Sequence, residues 1–399
     1  MNRKALFIAL ACLSFCFGLS AQSLKGIVLD ANTQEPVPFA NVFIDNTTVG
    51  TGTTPDGRFQ FETGPGPFTL VVSSVGYKTQ AFSIETPEKI ELRIKLHPDT
   101  RMLNTVVVEE DLSQWEKHYA IFKNYFIGSP GTPFVDQCEI LNPKVLHFDM
   151  NHRTRVFEAW ADSSLHIRNK ALRYDIYIHL VDFKVFFAKQ RNQMRYFTRF
   201  MDQTDGKPKG ARRRADKKRR FAYFGSRLHF YRSLYHDQLN ASNFAVRRIL
   251  EFPNPHRPQQ SLINKNLKKF RAQIRSNTSN GKKIMISTPI MDSLRYWKRM
   301  NRLPKFHTTI VRDLLPADSL IDENKEIFFN GKILVLHNPG KESMRESDVM
   351  KITTEKLPVL SNGQVAKGHL LVCNRDWAEM KIAVLLPMDY KPLSKKRKK

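Results

Sequence analysis

The sequence predicts a mainly β protein with α+β character, in which a seven-stranded N-terminal β-sandwich precedes a larger α+β domain with an antiparallel sheet. Residues 24–96 consist of short segments of alternating apolar and polar residues, separated by turn residues. Longer alternating segments return between about 144 and 202, as in antiparallel strands. Between and after them, apolar residues recur at helical spacing over 113–126 and 221–239.

Residues 1–21 have the features of a secretory signal peptide. Arg3 and Lys4 precede an apolar run, ALFIALACLSFCFGL, which is short for a membrane span. An uncleaved membrane anchor is the alternative. Cys12 and Cys16 lack the small-residue context of a lipoprotein signal, so we expect no lipid anchor. The protein is therefore expected to be exported, to the periplasm or in association with the outer membrane.

The β-sandwich is expected over residues 22–97. Its strands are predicted at LKGIVLD, FANVFI, RFQFE, PFTLVVSS, KTQAFSI and KIELRIKL. The turn-rich segment before RFQFE contains Asp56-Gly57, a strong hairpin signal. Apolar side chains at alternating positions should fill the core: Phe59, Phe61, Phe68, Leu70 and Val72.

The pattern of residues in this region resembles the carboxypeptidase-regulatory-like domain, a prealbumin-like sandwich found in envelope proteins of Bacteroidetes. The residues that carry the resemblance are Gly26, Val28, Asp30, Thr33, Pro36, Ala40, Val42, Gly50, Thr51, Gly57, Phe59, Ser73, Gly76 and Tyr77. Thr54 and Ser74 depart from the family pattern, which usually has Asp and an aromatic residue there. The resemblance implies the fold and a non-catalytic accessory role.

Residues 98–112 are expected to be a linker. Within it, MLNTVVVEE at 102–110 resembles the connector that follows this domain in TonB-dependent receptors. Only 289 residues follow residue 110, and the sequence ends in KKRKK. We therefore expect the protein not to be such a receptor. For residues 102–110 themselves, a simple apolar linker strand is the alternative to a receptor-type connector.

The second domain is expected over 113–393. A helix is predicted at 113–126, with Trp115, Tyr119, Phe122 and Phe126 on one apolar face. Strands are predicted at VLHFDM, RVFEAWA, LRYDIYIHLVDFKVFFA and QMRYFTRFM. They should form an antiparallel meander with one face in water.

The remainder of this domain mixes elements. A helix is expected at 221–239 and a strand at FAVRRILEF. The Pro-, Asn- and Gln-rich stretch 253–280 is expected to be a loop or lid-like excursion, and Asn330-Gly331 should form a hairpin turn within KEIFFNGKILVLH. EILNPKVLHF, GSRLHFYRSLY and AVLLPMDYKP resemble an uncharacterised C-terminal region that accompanies the same β-module in exported Bacteroidetes proteins.

Charge is distributed unevenly. The chain has a net charge of +26, whereas residues 22–110 carry seven basic and eleven acidic residues. With the two basic residues of the signal peptide, residues 111–399 therefore carry a net charge of +28. The run KPKGARRRADKKRR at 207–220 holds nine basic residues and one acid, and a basic tail is expected at 394–399.

These basic segments have two interpretations. They could bind polyanionic glycans or lipids, or an envelope protein, and so hold the protein peripherally at the outer membrane. The alternative, which composition favours, is a solvated loop at 207–220 and a disordered tail. Nucleic acid is not an expected partner, because no aromatic residue lies within 207–220 for base stacking.

Sequence motifs give no catalytic, cofactor-binding or metal-binding residue. None of the twelve histidines is followed by Glu three residues later, which argues against the zinc site of metallocarboxypeptidases. His147 with His152, and His229 with His236, lack further ligands. Ser226, His229 and Asp237 supply the residue types of a hydrolase triad but are crowded on one predicted helix, so we expect a coincidence. Cys138 and Cys373 either pair or remain free thiols.

The function predicted from the sequence is that of a non-enzymatic envelope protein, in which the sandwich presents a basic binding or interaction domain. The alternative is an envelope hydrolase that acts on glycans or peptides through residues 113–393. That alternative requires a polar pocket where titratable side chains converge. The candidates are Glu158, Asp162, His166, Asp175 and His229.

Overall fold

The structure is a computed structural model that describes residues 22–64, 66–85, 91–99, 112–189, 191–276 and 288–393. The expected signal peptide, the connector at 102–110 and the basic tail lie outside the described residues. The chain divides into two compact units. The first contains the described residues up to 238 together with 358–366 and those from 375 onwards, and the second contains 239–357 and 367–374.

The first unit opens with a β-sandwich, which has seven strands among the described residues. They are β1 (Gln22–Asp30), β2 (Asn41–Ile44), β3 (Gly50–Gly52), β4 (Arg58–Thr63), β5 (Phe68–Ser73), β6 (Gln80–Ile84) and β7 (Glu91–Leu96). One sheet has the order β4-β1-β7 and the other β3-β2-β5-β6. Strand β3 lies inside the segment predicted to be rich in turns. Of the predicted core residues, Phe61 is only partly buried and the others are buried.

Two residues that carry the family resemblance hold the sandwich together. The Tyr77 hydroxyl donates to Asp30 Oδ2 at 2.8 Å, and Asp30 Oδ1 accepts from the backbone N–H of Asn32 and Thr33. These hydrogen bonds lower the pKa of Asp30. Gly57 adopts φ +74°, and a Cβ there would lie 2.6 Å from the Val28 carbonyl oxygen, so this turn needs glycine.

The first unit continues with a helix and a six-stranded antiparallel sheet. The helix is α1 (Leu112–Phe126), and the strands are β8 (Cys138–Ile140), β9 (Leu146–Asn151), β10 (Val156–Ala161), β11 (Leu165–Asn169), β12 (Tyr174–Phe186) and β13 (Arg191–Asp202). Strand β12 pairs with β11 and β10 along one edge and with β13 along the other. The predicted helix is confirmed as α1, and it packs its aromatic face on the sheet, where Phe122 stacks with Phe126 and contacts Phe183.

The sandwich docks on strand β13 through the segment that follows β2. The Asn46 N–H donates to the Thr198 carbonyl at 2.7 Å, and the Phe200 N–H donates to the Thr47 carbonyl at 2.9 Å. The segment therefore extends the edge of the six-stranded sheet, and the sandwich and sheet belong to one compact unit. This grouping differs from the predicted boundaries at 97 and 113, which stay predictions.

Two titratable side chains are buried where the sandwich meets the sheet. Asp45 accepts from the Thr198 N–H at 2.8 Å, and burial raises its pKa to about 6. His179 stacks on Phe43 and lies 3.2 Å from the Ser73 hydroxyl, and burial lowers its pKa to about 4. The outer face of the sheet, predicted to be wet, is thus partly covered by the sandwich.

After the six-stranded sheet, the first unit has two α-helices before residue 238: α2 (Lys209–Tyr223) and α3 (Arg227–Tyr235). Two predictions are wrong here. The basic run is helical rather than a loop, and the helix expected at 221–239 is broken at Gly225, which has φ +79°. Such a φ is incompatible with a continuous right-handed helix.

The second unit is built on a five-stranded antiparallel sheet with the order β15-β14-β17-β18-β20. The elements after residue 238 are β14 (Phe244–Pro253), α4 (Gln260–Ser276), α5 (Thr288–Arg302), β15 (Phe306–Leu314), β16 (Glu326–Ile327), β17 (Gly331–His337), β18 (Arg345–Lys351), β19 (Leu357–Pro358), β20 (Leu371–Arg375) and α6 (Asp376–Glu379). Helix α6 belongs to the first unit. The strand predicted at FAVRRILEF is confirmed as β14.

Two further predictions fail in this unit. The stretch 253–280 contains helix α4 and is not a loop, because Ile263, Leu267 and Phe270 recur at helical spacing and pack on α5. Gly331 makes a turn at φ +78°, but β17 pairs with β14 and β18, while β16 pairs with β19. The hairpin expected at this turn is therefore absent from the described strands. The predicted fold class, a sandwich followed by an α+β region with antiparallel sheets, is confirmed.

Candidate anion-binding surface

Helix α2 has one buried and one exposed face. It begins after Pro208, and Ala215, Arg219 and Ala222 recur every three or four residues on its buried side. Arginine and alanine are both favourable in helices, which explains why a run with nine basic residues folds as a helix once one face is packed.

Arg219 anchors this helix to the sheet. Its guanidinium donates to both carboxylate oxygens of Asp202, at 2.7 and 2.8 Å. It also donates to the carbonyls of Leu172 at 2.8 Å and Arg173 at 3.1 Å, and lies 3.8 Å from the ring centroid of Tyr174. Burial alone would raise the pKa of Asp202, but hydrogen bonds from Arg219 and Thr204 outweigh it, and the net effect is a lowered pKa.

The exposed side of α2 is a cluster of cations that we call the basic face. It comprises Lys209, Arg212, Arg213, Arg214 and Lys217. None of the five forms an ion pair with another described residue. The face extends over eight residue steps, about 12 Å along the helix. Several phosphates or carboxylates of one ligand could be bound at once on such a length.

The acid within α2 does not neutralise the basic face. Asp216 accepts from the Tyr390 hydroxyl at 3.2 Å and is partly buried. Two neighbouring cations of α2 contact other parts of the fold: Lys218 donates to Gln137 at 2.9 Å, and Arg220 lies over the ring of Phe224. The helix thus separates cations used by the fold from cations left for a ligand.

Of the five candidate residues of the hydrolase alternative, the structure brings His166 and Asp175 together but places Glu158, Asp162 and His229 in other contacts. Asp175 accepts from Arg168 at 3.0 and 3.1 Å, and His166 lies 3.3 Å from the same carboxylate. Burial would raise the pKa of Asp175, but hydrogen bonds from Arg168 and His166 outweigh it, so the pKa is lowered. A carboxylate stabilised in this way is a poor proton acceptor, and the group is better explained as a cross-strand ion pair.

Glu158 and Asp162 lie in separate ion pairs. Glu158 pairs with Lys184 at 3.0 Å, and Asp162 pairs with His147 at 2.6 Å. His152 lies in an exposed turn, so it does not join His147 in a ligand set. Among the described residues, no three His, Cys, Asp or Glu side chains are arranged to hold a metal ion.

Ser226 and His229 belong to the start of helix α3. The Ser226 hydroxyl is the N-cap and accepts from the His229 N–H at 3.2 Å, while His229 Nδ1 accepts from the Gly225 N–H. Asp237 and His236 are exposed just after the helix ends. The Ser226 hydroxyl and the His229 ring therefore make hydrogen bonds at the start of α3, and Asp237 lies beyond its other end.

Cys138 and Cys373, the two cysteines among the described residues, are not joined by a disulfide. Cys138 is buried on β8, and burial raises its pKa to about 12, so it is a poor nucleophile.

Helices long and apolar enough to cross a membrane do not occur in the described part of the chain.

The second unit contains a cleft of about 480 Å³ that sequence reasoning did not find. Arg248, Glu251, Phe328, Lys332 and Met350 are among the residues that line it. Lys332 Nζ lies 3.6 Å from Glu251 Oε1. The residues come from β14, β17, β18 and the chain before β17, and no local sequence motif joins them.

Comparison with known proteins identifies the N-terminal module. A family model described as the CarboxypepD_reg-like domain matches residues 24–108. TonB-dependent receptor SusC of Bacteroides thetaiotaomicron is 39% identical over 107 residues, which are 26% of this chain and 10% of the receptor. TonB-dependent receptor P39 of Formosa agariphila is 38% identical over 90 residues, which are 23% of this chain and 8% of the receptor.

The matched part of this chain thus spans about a tenth or less of the length of these two receptors. Among solved structures, a DUF3823 family protein from Bacteroides ovatus aligns with 48% of this chain and 83% of its own, at 12% identity and a TM-score of 0.16. The resemblance predicted for the module is confirmed, and the module is homologous to regions of TonB-dependent receptors. That the whole chain is not such a receptor stays a prediction.

Proposed function

We propose that this chain, which contains a CarboxypepD_reg-like domain at residues 24–108, is a non-enzymatic envelope protein that binds polyanions through the basic face of α2. The observation that carries the proposal is a set of five exposed cations on one helix that form no ion pair with the described residues, while Arg219 fixes that helix to the sheet. A fixed helix presents these charges in one orientation, so the protein loses less conformational freedom when a ligand binds.

The ligand class follows from the chemistry of the face. Three of its five cations are arginines, whose guanidinium groups bind phosphates and carboxylates with two parallel hydrogen bonds. Each cation near an anionic surface contributes about 1 kcal/mol, and the attraction weakens with salt. Acidic glycans and the phosphate-bearing head groups of envelope lipids share this chemistry. The face has no aromatic residue, which disfavours single-stranded nucleic acid.

The sandwich supports this role in our proposal. Its Asn46–Thr47 segment is hydrogen-bonded to the sheet that also anchors α2, so the accessory module and the basic face are parts of one compact unit. The predicted secretory signal and the relationship to receptor modules support location in the envelope, at the periplasm or the outer membrane.

The proposal is tested with the mature chain and two variants that remove the same charge. The face variant carries Arg212→Gln, Arg213→Gln, Arg214→Gln and Lys217→Gln. The control variant carries Lys25→Gln, Lys117→Gln, Lys144→Gln and Arg153→Gln, which replace exposed cations elsewhere in the same unit.

The measurement is the salt concentration that elutes each protein from heparin, and the dissociation constant for vesicles that contain 30% phosphatidylglycerol. We expect the face variant to elute at clearly lower salt while the control stays near the wild type. Retention by heparin alone would assign the face to acidic glycans, and retention by vesicles alone would assign it to lipid head groups. Equal shifts in the two variants would show that net charge, and not the basic face, causes binding.

A further inference from the structure

The second unit carries a two-helix arm, here defined as the described residues between 254 and 305. Helices α4 and α5 pack on each other through a small core of their own, formed by Ile263, Leu267, Leu294 and Met300. At its base, the Asn254 side chain donates to the Pro304 carbonyl at 2.9 Å. The arm is inserted between strands β14 and β15, at the edge of the five-stranded sheet.

The outer surface of the arm is strongly basic. Helices α4 and α5 contain nine basic residues and one acid, Asp292. That acid is already paired with Arg295 at 3.1 Å. The exposed cations are Lys265, Lys268, Lys269, Arg271, Arg295, Lys298, Arg299 and Arg302.

Exposed apolar side chains lie beside these cations. Leu262 is 47% exposed and shares a stripe with Lys265 and Lys269, which follow it at three and seven residues on α4. On α5, Tyr296 is 44% exposed, and the Arg299 guanidinium lies 5.7 Å from its ring centroid. A surface that combines long basic side chains with exposed leucine and aromatic residues is typical of helices that lie in a membrane interface.

We propose that this arm docks on an anionic lipid bilayer, with Leu262 and Tyr296 in the interface and the cations among the head groups. A soluble polyanion would satisfy the charges but would leave both apolar side chains in water. A bilayer satisfies both, since lysine and arginine extend their apolar stems along the membrane while their charges remain at its surface. This site uses other residues than the basic face of α2, and it goes beyond the function proposed above.

Vesicle binding of the mature chain tests the inference. The vesicles contain phosphatidylethanolamine with 30% phosphatidylglycerol, and vesicles of phosphatidylcholine alone serve as the neutral comparison. An arm variant, with Lys265→Gln, Lys268→Gln, Lys269→Gln and Arg299→Gln, should bind the anionic vesicles at least 10-fold more weakly. The control variant defined above, with Lys25→Gln, Lys117→Gln, Lys144→Gln and Arg153→Gln, serves as the matched control, since it removes the same charge from exposed positions outside both the arm and the basic face.

Insertion is tested separately by Leu262→Trp, which places an indole at an exposed position without disturbing the arm's core. We expect its emission to shift to the blue with anionic vesicles and to be quenched by brominated lipid acyl chains. Binding without quenching would overturn insertion, and equal weakening in the arm variant and the control variant would overturn the assignment to the arm. If the arm variant misfolds, Leu262→Ser alone must still weaken binding for the inference to stand.

Discussion

Replacing Arg219 should destabilise the first unit far more than replacing any cation of the basic face. Arg219→Ala removes the pair with Asp202, the hydrogen bonds to two carbonyls and the contact with Tyr174. Breaking a buried ion pair by removing one partner typically costs about 3–5 kcal/mol, because the other charge is left unpaired. Since the Asp202 side chain is still 24% exposed, water can solvate part of it, and we expect about 3 kcal/mol.

The matched comparison is Arg212→Ala on the same helix. Arg212 is exposed and has no ion pair with a described residue, so its loss should change the free energy of unfolding by less than about 0.5 kcal/mol. The assay is thermal unfolding together with hydrogen exchange of the amides of β12 and β13. A cost of 3 kcal/mol corresponds to a fall in the melting temperature of about 6 °C or more for a unit of this size.

The partner residue refines the test. Asp202→Asn combined with Arg219→Met removes both charges, and it should recover much of the stability lost in Arg219→Ala. The reasoning would be refuted if Arg219→Ala and Arg212→Ala had the same melting temperature and the same exchange rates in β12. That result would mean that Arg219 does not anchor the helix.

Three further predictions concern the sandwich and its junction with the six-stranded sheet. The pKa of Asp45 is raised to about 6 from 3.8, so the folded state binds the proton more tightly than the unfolded state does. The free energy of unfolding should therefore fall by up to about 3 kcal/mol as pH rises from about 4 through 6. Asp45→Asn should flatten this fall in unfolding curves measured against pH. The pKa of His179 is lowered to about 4 from 6.5, so stability should be lost as pH falls through 6.5 towards 4, and His179→Gln should remove that loss in the same curves. Gly57→Ala should lower the melting temperature by several degrees, because φ is +74° and the Val28 carbonyl lies 2.6 Å from the added Cβ.

The elements that sequence predicted well are those specified by local pattern. Alternation over 172–201 predicts β12 and β13, and the aromatic spacing of 115–126 predicts α1. The sandwich was predictable because its turns need glycine at particular positions, as at Gly57.

The elements that sequence missed depend on distant partners. Helix α2 has few apolar residues, and its buried side is completed by Arg219, whose partners lie 17 to 47 residues away. The spacing of Ala215, Arg219 and Ala222 was the available signal. The turn at Gly331 was predictable, but the sheet order that assigns β17 to β14 and β18 is set by long-range pairing.

The basic residues of this chain fall into two groups: some stabilise the fold, and others are available to bind a ligand. Arg232 donates to the carbonyls of Asn362, Met388 and Tyr390 at 2.7–2.8 Å, and so fixes the C-terminal segment against α3. Like Arg219, it satisfies main-chain acceptors that would otherwise be costly to bury. A formal charge of +26 therefore overstates the attraction for polyanions. Binding strength and its salt dependence should follow the cations of the basic face and the arm, because these are the charges that the fold does not use.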